Sequence, residues 1–327
     1  MAKKLRFSAN INTFNACADR YVLSGYGERL TTDQLIRAAT QVEGLTGVEV
    51  VGLWHVNDDN VDQVGRQIHD AGLEVTCVTP DIWASSKWGW GSFASNDPKI
   101  RKEAVQEVKK SMAWAKQLNC EVIDLWFGQD GYDYPFQADY RLAWDRIIEG
   151  TTECAEYLPE IKLVLEYKPK EPRTHCFIGT VGKTLLLIEK VNKPNVGAMI
   201  DIGHALMAYE NVAESAALLQ YFGQKLFYMH FNDNWRLWDD DMTVGSVHTI
   251  EMLELLYWLD RMEYSGWYAL DIFPYRENGI RAASESIRWI EGLHGLLDKI
   301  GRERIAQVIA SGDAMDASEM LRKALLS

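Results

Sequence analysis

Four short apolar runs in the second half of the chain each end in an acid or an imidazole. They are LVLEYK with Glu166 and Lys168, AMIDIGH with Asp201 and His204, LFYMHFND with His230, and WYALDIF with Asp271. Between the last two comes the triplet Asp239, Asp240, Asp241. Buried strands ordinarily end in turn-forming residues, not in ligand-type side chains. Five carboxylates converging on one pocket (Glu166, Asp201, Asp239, Asp241 and Asp271) could not all stay ionised alone, because like charges at close range raise one another's pKa. Two divalent cations would neutralise four of these charges and Lys168 the remaining one. Oxygen-rich ligation with one imidazole per ion suits Mg²⁺, Mn²⁺ or Co²⁺ better than Zn²⁺. Taken singly, each residue has a plainer role. A strand-end Asp commonly caps a turn or helix, an acidic triplet forms a solvated loop, and a lysine snorkels to a rim. Recurrence at the ends of consecutive strands is what carries the metal expectation.

The elements that position these residues follow from periodicity. Strand-like runs lie at Leu5–Ile11, Val48–Trp54, Leu73–Val78, Cys120–Trp126, Ile161–Tyr167, Val196–Ile202, Lys225–Phe231 and Trp267–Phe273. Most are continuous apolar runs, the pattern of strands buried on both faces. Helical patterns separate them, at Thr32–Val42, Val61–Ala71, Pro98–Leu118, Asp139–Tyr157, Thr180–Val191, Val212–Tyr221, Thr249–Met262 and Ile280–His294. Pro98 after Asn96–Asp97 marks a helix start. Eight strand–helix units in alternation predict an α/β fold, a single (β/α)₈ TIM barrel over residues 1–300. A helical tail is expected over 301–327, with one helix from Arg302 to Leu326. A doubly wound sheet would carry a glycine-rich phosphate turn after its first strand, and SANINTFN is not one. Chemistry in such a barrel sits at the C-terminal strand ends. Trp54–His55 with Asp58, Thr79 with Asp81 and Trp83, and Asp124–Trp126 therefore join the pocket.

Composition narrows the class. The chain has 327 residues, 47% of them hydrophobic and 25% charged, which supplies a large core and excludes a disordered chain. A net charge of −13 argues against a nucleic-acid partner, which needs a basic face. Five cysteines without paired spacing fit reduced thiols and a cytoplasmic location. MAKKLRFSAN lacks the apolar core of a signal peptide, and no run of about 18 apolar residues is present to span a membrane.

Together these motifs resemble the xylose isomerase superfamily, specifically its two-metal aldose–ketose isomerases, over about residues 45–280. LEYKPKEP is similar to the strand-five motif, implying a metal-binding Glu166 and a substrate-polarising Lys168. DIGHALMA resembles the strand-six motif, with Asp201 shared between metals and His204 on the second. HFNDNWRLWDDDMTVGS resembles the rhamnose-isomerase form of strand seven, implying His230 on the first metal and Asp239 and Asp241 on the second. LDIFPYR supplies the strand-eight acid, Asp271. LWHVNDD resembles the segment whose histidine opens the sugar ring, here His55 held by Asp58. Trp83 and Trp126 correspond to aromatic walls of the sugar site. The chain departs from xylose isomerase at His230 and Asp201, where that enzyme has an acid and a Glu. It also places Asp124 where a small apolar residue stands, which makes Asp124 a candidate for substrate selection.

The resemblance implies transfer of hydrogen from C2 to C1 of an open-chain monosaccharide as a hydride, assisted by two divalent ions and needing no organic cofactor. It also implies a homo-oligomer, a dimer or tetramer. Alternatives are a ketose 3-epimerase on the same scaffold, using one metal and two facing Glu; a phosphodiesterase, which would need a basic rim; and a non-catalytic sugar-binding barrel, which would have no use for Lys168.

Overall fold

The apolar runs become eight parallel strands in a computed structural model that describes residues 5–18 and 20–326. MAKK, the start of the segment read above for targeting, and Ser327 lie outside the described residues. The strands are β1 (Phe7–Asn10), β2 (Leu45–Val51), β3 (Glu74–Thr79), β4 (Val122–Trp126), β5 (Lys162–Glu166), β6 (Val196–Asp201), β7 (Leu226–Phe231) and β8 (Tyr268–Leu270). Each pairs with its neighbours in sequence, and β8 pairs with β1 to close the barrel. A closed parallel sheet has no free edge, and its strands bury both faces, which is why they read as continuous apolar runs.

The helices are α1 (Thr32–Ala39), α2 (Val61–Asp70), α3 (Pro98–Gln117), α4 (Tyr140–Tyr157), α5 (Val181–Val191), α6 (Ile202–Met207), α7 (Val212–Tyr221), α8 (Thr249–Arg261), α9 (Gly279–Ile300), α10 (Arg302–Ser311) and α11 (Ala314–Leu326). Their starts are set by side-chain caps: a Thr31–Gln34 capping box for α1, and Asp97 followed by Pro98 for α3. The helices pack on the outer face of the sheet in one continuous core. Inside the barrel a smaller cluster of Cys77, Val122, Val164, Met199, Tyr228, Trp267 and Ala269 plugs the floor beneath the strand ends.

Four local differences from the sequence expectation have physical causes. β2 ends at Val51, not Trp54, because Leu53 takes a left-handed turn (φ +65°) that carries Trp54 and His55 off the strand. β8 stops at Leu270; Phe273 N–H then donates to Asp241 O in the loop after β7. The expected single tail helix is two, α10 and α11, broken at Gly312 with φ +66°. α10 buries Ile305 in the same core as α9, and Val308 is buried beside it. Finally, the loops after β4 and β5 form a small antiparallel sheet of Gly131–Tyr132, Thr174–Cys176 and Lys170–Glu171, which periodicity could not show. Gly131 admits no side chain there, since a Cβ would lie 2.3 Å from His175 O.

Candidate metal centre

Strand register brings the acids to one level. Glu166 is in register with Trp126 on one side and Met199 on the other, and Asp201 with His230. His230 Nδ1 lies 3.1 Å from Glu166 Oε1 and 3.8 Å from both Asp201 Oδ2 and Asp271 Oδ2. Beside this group stands a second one. His204 Nε2 lies 3.4 Å from Asp239 Oδ2, and His204 Nδ1 lies 3.9 Å from Asp201 Oδ1. The donor atoms of Glu166, Asp201, His230 and Asp271, and likewise those of Asp201, His204 and Asp239, all lie within 4.8 Å of one another. Asp201 belongs to both groups.

Local chemistry explains how these side chains are held. Asp201 caps the short helix α6: its Oδ1 accepts from His204 N–H at 2.9 Å, so cap and imidazole are oriented together. Asn232 Nδ2 donates to Asp201 Oδ2 at 2.8 Å and to Asp241 Oδ1 at 3.2 Å, while Asn232 Oδ1 accepts from Gly203 N–H at 2.7 Å. A Cβ on Gly203 would sit 2.9 Å from that Oδ1, so the close approach requires glycine. After β7, a bridge between Asp233 and Met242 folds the acidic triplet back over the barrel. The buried Asp233 carboxylate accepts from the N–H groups of Asn234, Val247 and His248 and from His248 Nδ1. Asp239 and Asp241 then face inward, while Asp240 accepts from Trp235 N–H.

The acids open into a cavity of about 480 Å³ lined by Trp54, Trp83, Trp126, Lys168, Arg20 and Asp124 among others. The Trp83 ring packs 5.0 Å from Trp126 and 5.9 Å from Trp54. Lys168 is buried, with Nζ 2.7 Å from Asp239 Oδ2, a further ion pair to Glu171, and the Trp126 ring 5.1 Å away. Asp124 sits on the floor, and its Oδ1 and Trp126 Nε1 have no hydrogen-bond partner within the protein.

One sequence expectation needs correction, the pairing of His55 with Asp58. Asp58 does not hold His55: it accepts from Trp114 Nε1 at 2.8 Å. His55 Nδ1 instead accepts from Val51 N–H at 2.9 Å, and Nε2 faces Asn12 Oδ1 at 3.2 Å. The turn at Leu53 buries His55, and Trp54 and Asn12 line the cavity in its place. Burial pushes the His55 pKa down to about 4, so the ring is neutral. Asp241 is buried near Asp239, and Arg20, whose guanidinium lies over the Phe273 ring, pairs with Asp241 and reaches Asp239 at 3.9 Å. Asp241 reaches the cluster through Asn232.

The electrostatics fit bound cations. Burial raises Asp201, Asp241 and Asp124 above the usual carboxylate range, Asp241 and Asp124 strongly, and neighbouring acids add to each. Asp271 is pushed up to about 7, by burial first and by Asp201 and Glu166, against the opposing effect of His230. Burial disfavours charge on both imidazoles, but Asp201 and Asp239 outweigh it to hold His204 at about 9, and Glu49 and Glu166 hold His230 well above its ordinary value. Asp239 resists this trend: burial opposes its charge, yet Lys168 and His204 keep it ionised. Protons therefore occupy a cluster whose donors are oxygens and imidazole nitrogens, and two buried atoms there, His204 Nδ1 and Asp239 Oδ1, have no hydrogen-bond partner. Six-coordinate hard cations with bonds of about 2.1 Å place neighbouring donors about 3 Å apart, a spacing the His230–Glu166 pair already has.

The family model described as the xylose isomerase-like TIM barrel matches residues 36–293. The chain belongs to this family. It is 27% identical to the xylose isomerase of Thermus thermophilus over 252 residues, covering 75% of this chain and 61% of that enzyme. The match thus spans less than two thirds of that enzyme. Among solved structures, it superposes on an L-ribulose 3-epimerase with a TM-score of 0.71 at 15% identity, over 93% of this chain and 98% of that one. A D-tagatose 3-epimerase-like protein gives 0.65 at 19% identity, over 90% and 99%. At these identities the likeness is one of fold.

Sequence reasoning missed several residues of this xylose isomerase-like site. Glu49 of β2 is buried with Oε2 3.1 Å from His230 Nε2. Its signal was an acid inside the apolar run LTGVEVV. Asn10 Nδ2 donates to Asp271 Oδ1 at 3.2 Å. Arg20 and Glu171 reach the site from loops, and nothing in their local sequence marks them.

Proposed function

We propose that the protein is a divalent-metal-dependent sugar isomerase that interconverts an aldose and its ketose, acting on a monosaccharide without an organic cofactor. The observation carrying this reading is Lys168 Nζ, buried and 2.7 Å from Asp239 Oδ2, beside a second acid–imidazole cluster that shares Asp201 with the first. A binding barrel needs no buried ammonium, and a proton-exchanging epimerase needs only the first cluster. The experiment is product analysis by NMR with a panel of aldoses and ketoses.

Mn²⁺, Mg²⁺ or Co²⁺ held by Glu166, Asp201, His230 and Asp271, and a second ion held by Asp201, His204 and Asp239 with Asp241 beside them, would polarise the sugar's hydroxyl oxygens and acidify the one on C2. In the reaction O2 loses a proton, the C2 hydrogen moves to C1 with its electron pair, and O1 gains a proton. Asp239, kept ionised by Lys168, is the acceptor for the O2 proton. The Lys168 ammonium stabilises the charge that develops on O1. Asn10 and Asn232 fix the carboxylates of Asp271 and Asp201 by hydrogen bonds, so little reorganisation is needed. Trp54, Trp83 and Trp126 wall the cavity and exclude water from the transferring hydrogen. Asp124 Oδ1 and Trp126 Nε1 offer one acceptor and one donor to further hydroxyls, the floor on which sugars are distinguished. His55 has no direct part, being turned onto Val51 and Asn12.

The second reading is a ketose 3-epimerase. It is supported by the first cluster alone, in which Glu166 and Asp271 flank His230, and by the epimerase names of the proteins sharing the fold. Against it stand the shorter reach of Asp271 compared with a Glu, and Lys168. An oligomer of two or four chains accompanies the main reading, supported by exposed aromatic residues such as Trp90, Phe136 and Trp235. The five cysteines are all buried thiols, consistent with a cytoplasmic setting, and no described helix is long and apolar enough to cross a membrane.

A further inference from the structure

We infer that Glu49 is a positioning residue for the first metal site: it fixes the His230 imidazole with Nε2 protonated and turned away, leaving the Nδ1 lone pair aimed between Glu166, Asp201 and Asp271. The inference rests on the reading above that this cluster binds a divalent cation.

The geometry assigns the protons one after another. Ser8 Oγ lies 2.6 Å from Thr76 Oγ1, Thr76 Oγ1 lies 2.8 Å from the Tyr228 hydroxyl, and that hydroxyl lies 2.8 Å from Glu49 Oε1. All four side chains are buried inside the barrel. A carboxylate only accepts, so the Tyr228 hydroxyl must donate to Oε1. Its own oxygen is then left to accept from Thr76 Oγ1, whose hydrogen also faces Val48 O at 3.2 Å and whose oxygen can accept from Ser8. The other Glu49 oxygen, Oε2, is 3.1 Å from His230 Nε2, which must therefore carry hydrogen. An imidazole that ligates a cation gives up one of its two protons; with Nε2–H held on Glu49, the lone pair is left on Nδ1. Nδ1 is the nitrogen that faces the three acids of the first cluster, at 3.1, 3.8 and 3.8 Å.

A charged Glu on the inner face of a strand is costly unless both oxygens are bonded, and here each has one donor. The Tyr228 hydroxyl makes no contact with the metal cluster; it holds the carboxylate that holds the ring. An imidazole that ligates a metal gains basicity and orientation when its second nitrogen donates to a carboxylate, and loss of such partners weakens metal binding by about 10- to 100-fold. Across the barrel, this connects β2 to β7 through the site's one histidine on a strand.

The test compares Glu49→Gln and Tyr228→Phe with wild type, measuring Mn²⁺ affinity by competition with a chelator and the thermal midpoint of the metal-free proteins. Glutamine keeps the shape but offers His230 either a neutral oxygen or an amide N–H, which would drive the ring to the wrong tautomer. Glu49→Gln is expected to weaken Mn²⁺ binding by about 10- to 100-fold. Tyr228→Phe lowers the thermal midpoint and changes Mn²⁺ affinity by less than about threefold, since it leaves the carboxylate–imidazole contact in place. Mn²⁺ affinity within threefold of wild type in Glu49→Gln would overturn the inference while leaving the metal reading intact. Equal losses of affinity in the two variants would also overturn it, assigning the network to barrel packing. A wild-type protein that binds no Mn²⁺ would overturn both.

Discussion

Lys168 Nζ and Asp239 Oδ2 stand 2.7 Å apart in a buried pair that joins the end of β5 to the acidic loop after β7. The pair keeps Asp239 ionised where Asp201, Asp241 and Asp271 are pushed towards protonation. Within one crowded pocket, against the cost of burial, Lys168 and His204 keep Asp239 charged, and His230 and His204 keep Glu166 charged, before any cation arrives.

Replacing Lys168 with Ala removes the group that steadies charge on O1. Turnover is expected to fall by about 10²- to 10³-fold, the usual cost of one such donor. The far-ultraviolet circular dichroism spectrum should be unchanged. Activity within tenfold of wild type would remove Lys168 from the chemistry.

Asp239→Asn is expected to abolish binding of the second ion while the first remains. Equilibrium dialysis with Mn²⁺ should show the stoichiometry fall from two per chain to one. Two ions bound by the variant would mean that Asp241 and His204 suffice without Asp239.

Metal binding must displace protons, because Asp271 is held at about 7 and His204 at about 9 in the metal-free site. Both values lie above the unfolded ones of 3.8 and 6.5. Each group's contribution to folding is therefore full below its unfolded pKa and lost as pH rises through its folded pKa. The metal-free protein should lose stability from these groups as pH climbs through 7 towards 9. Thermal melts with chelator and with saturating Mn²⁺ would then diverge as pH rises from 6 to 9. A gap that narrows over this range would contradict the assignment.

Asp58→Ala separates the geometry seen here from the pairing first expected. Asp58 accepts from Trp114 Nε1 and does not touch His55. The substitution should cost stability of about 1 kcal/mol, one hydrogen bond's net worth, and change kcat/KM by less than about threefold. A loss of a hundredfold in kcat/KM with normal stability would restore Asp58 to the reaction.

The sequence made the barrel legible because strands buried on both faces leave continuous apolar runs, and helix starts such as Asp97–Pro98 carry their own signal. Glu166, Asp201, His230 and Asp271 could be read because each terminates such a run. The His55–Asp58 spacing was ambiguous: three residues suit an orienting pair, yet one left-handed residue, Leu53, turns both away. Arg20 meets Asp241 across more than two hundred residues of chain, and no local pattern encodes that contact. Glu49 was visible as an acid in an apolar run, but its partner, Tyr228, lies on the far side of the barrel.

The most direct test is to strip the protein with chelator, restore Mn²⁺, Mg²⁺ or Co²⁺, and follow a panel of aldoses and ketoses by NMR in deuterated water. The account predicts metal-restored aldose–ketose interconversion with little deuterium at the migrating position, since the hydrogen passes directly from C2 to C1. Ketose C3 epimers carrying solvent deuterium would contradict it, and Glu166 and Asp271 would become an acid–base pair.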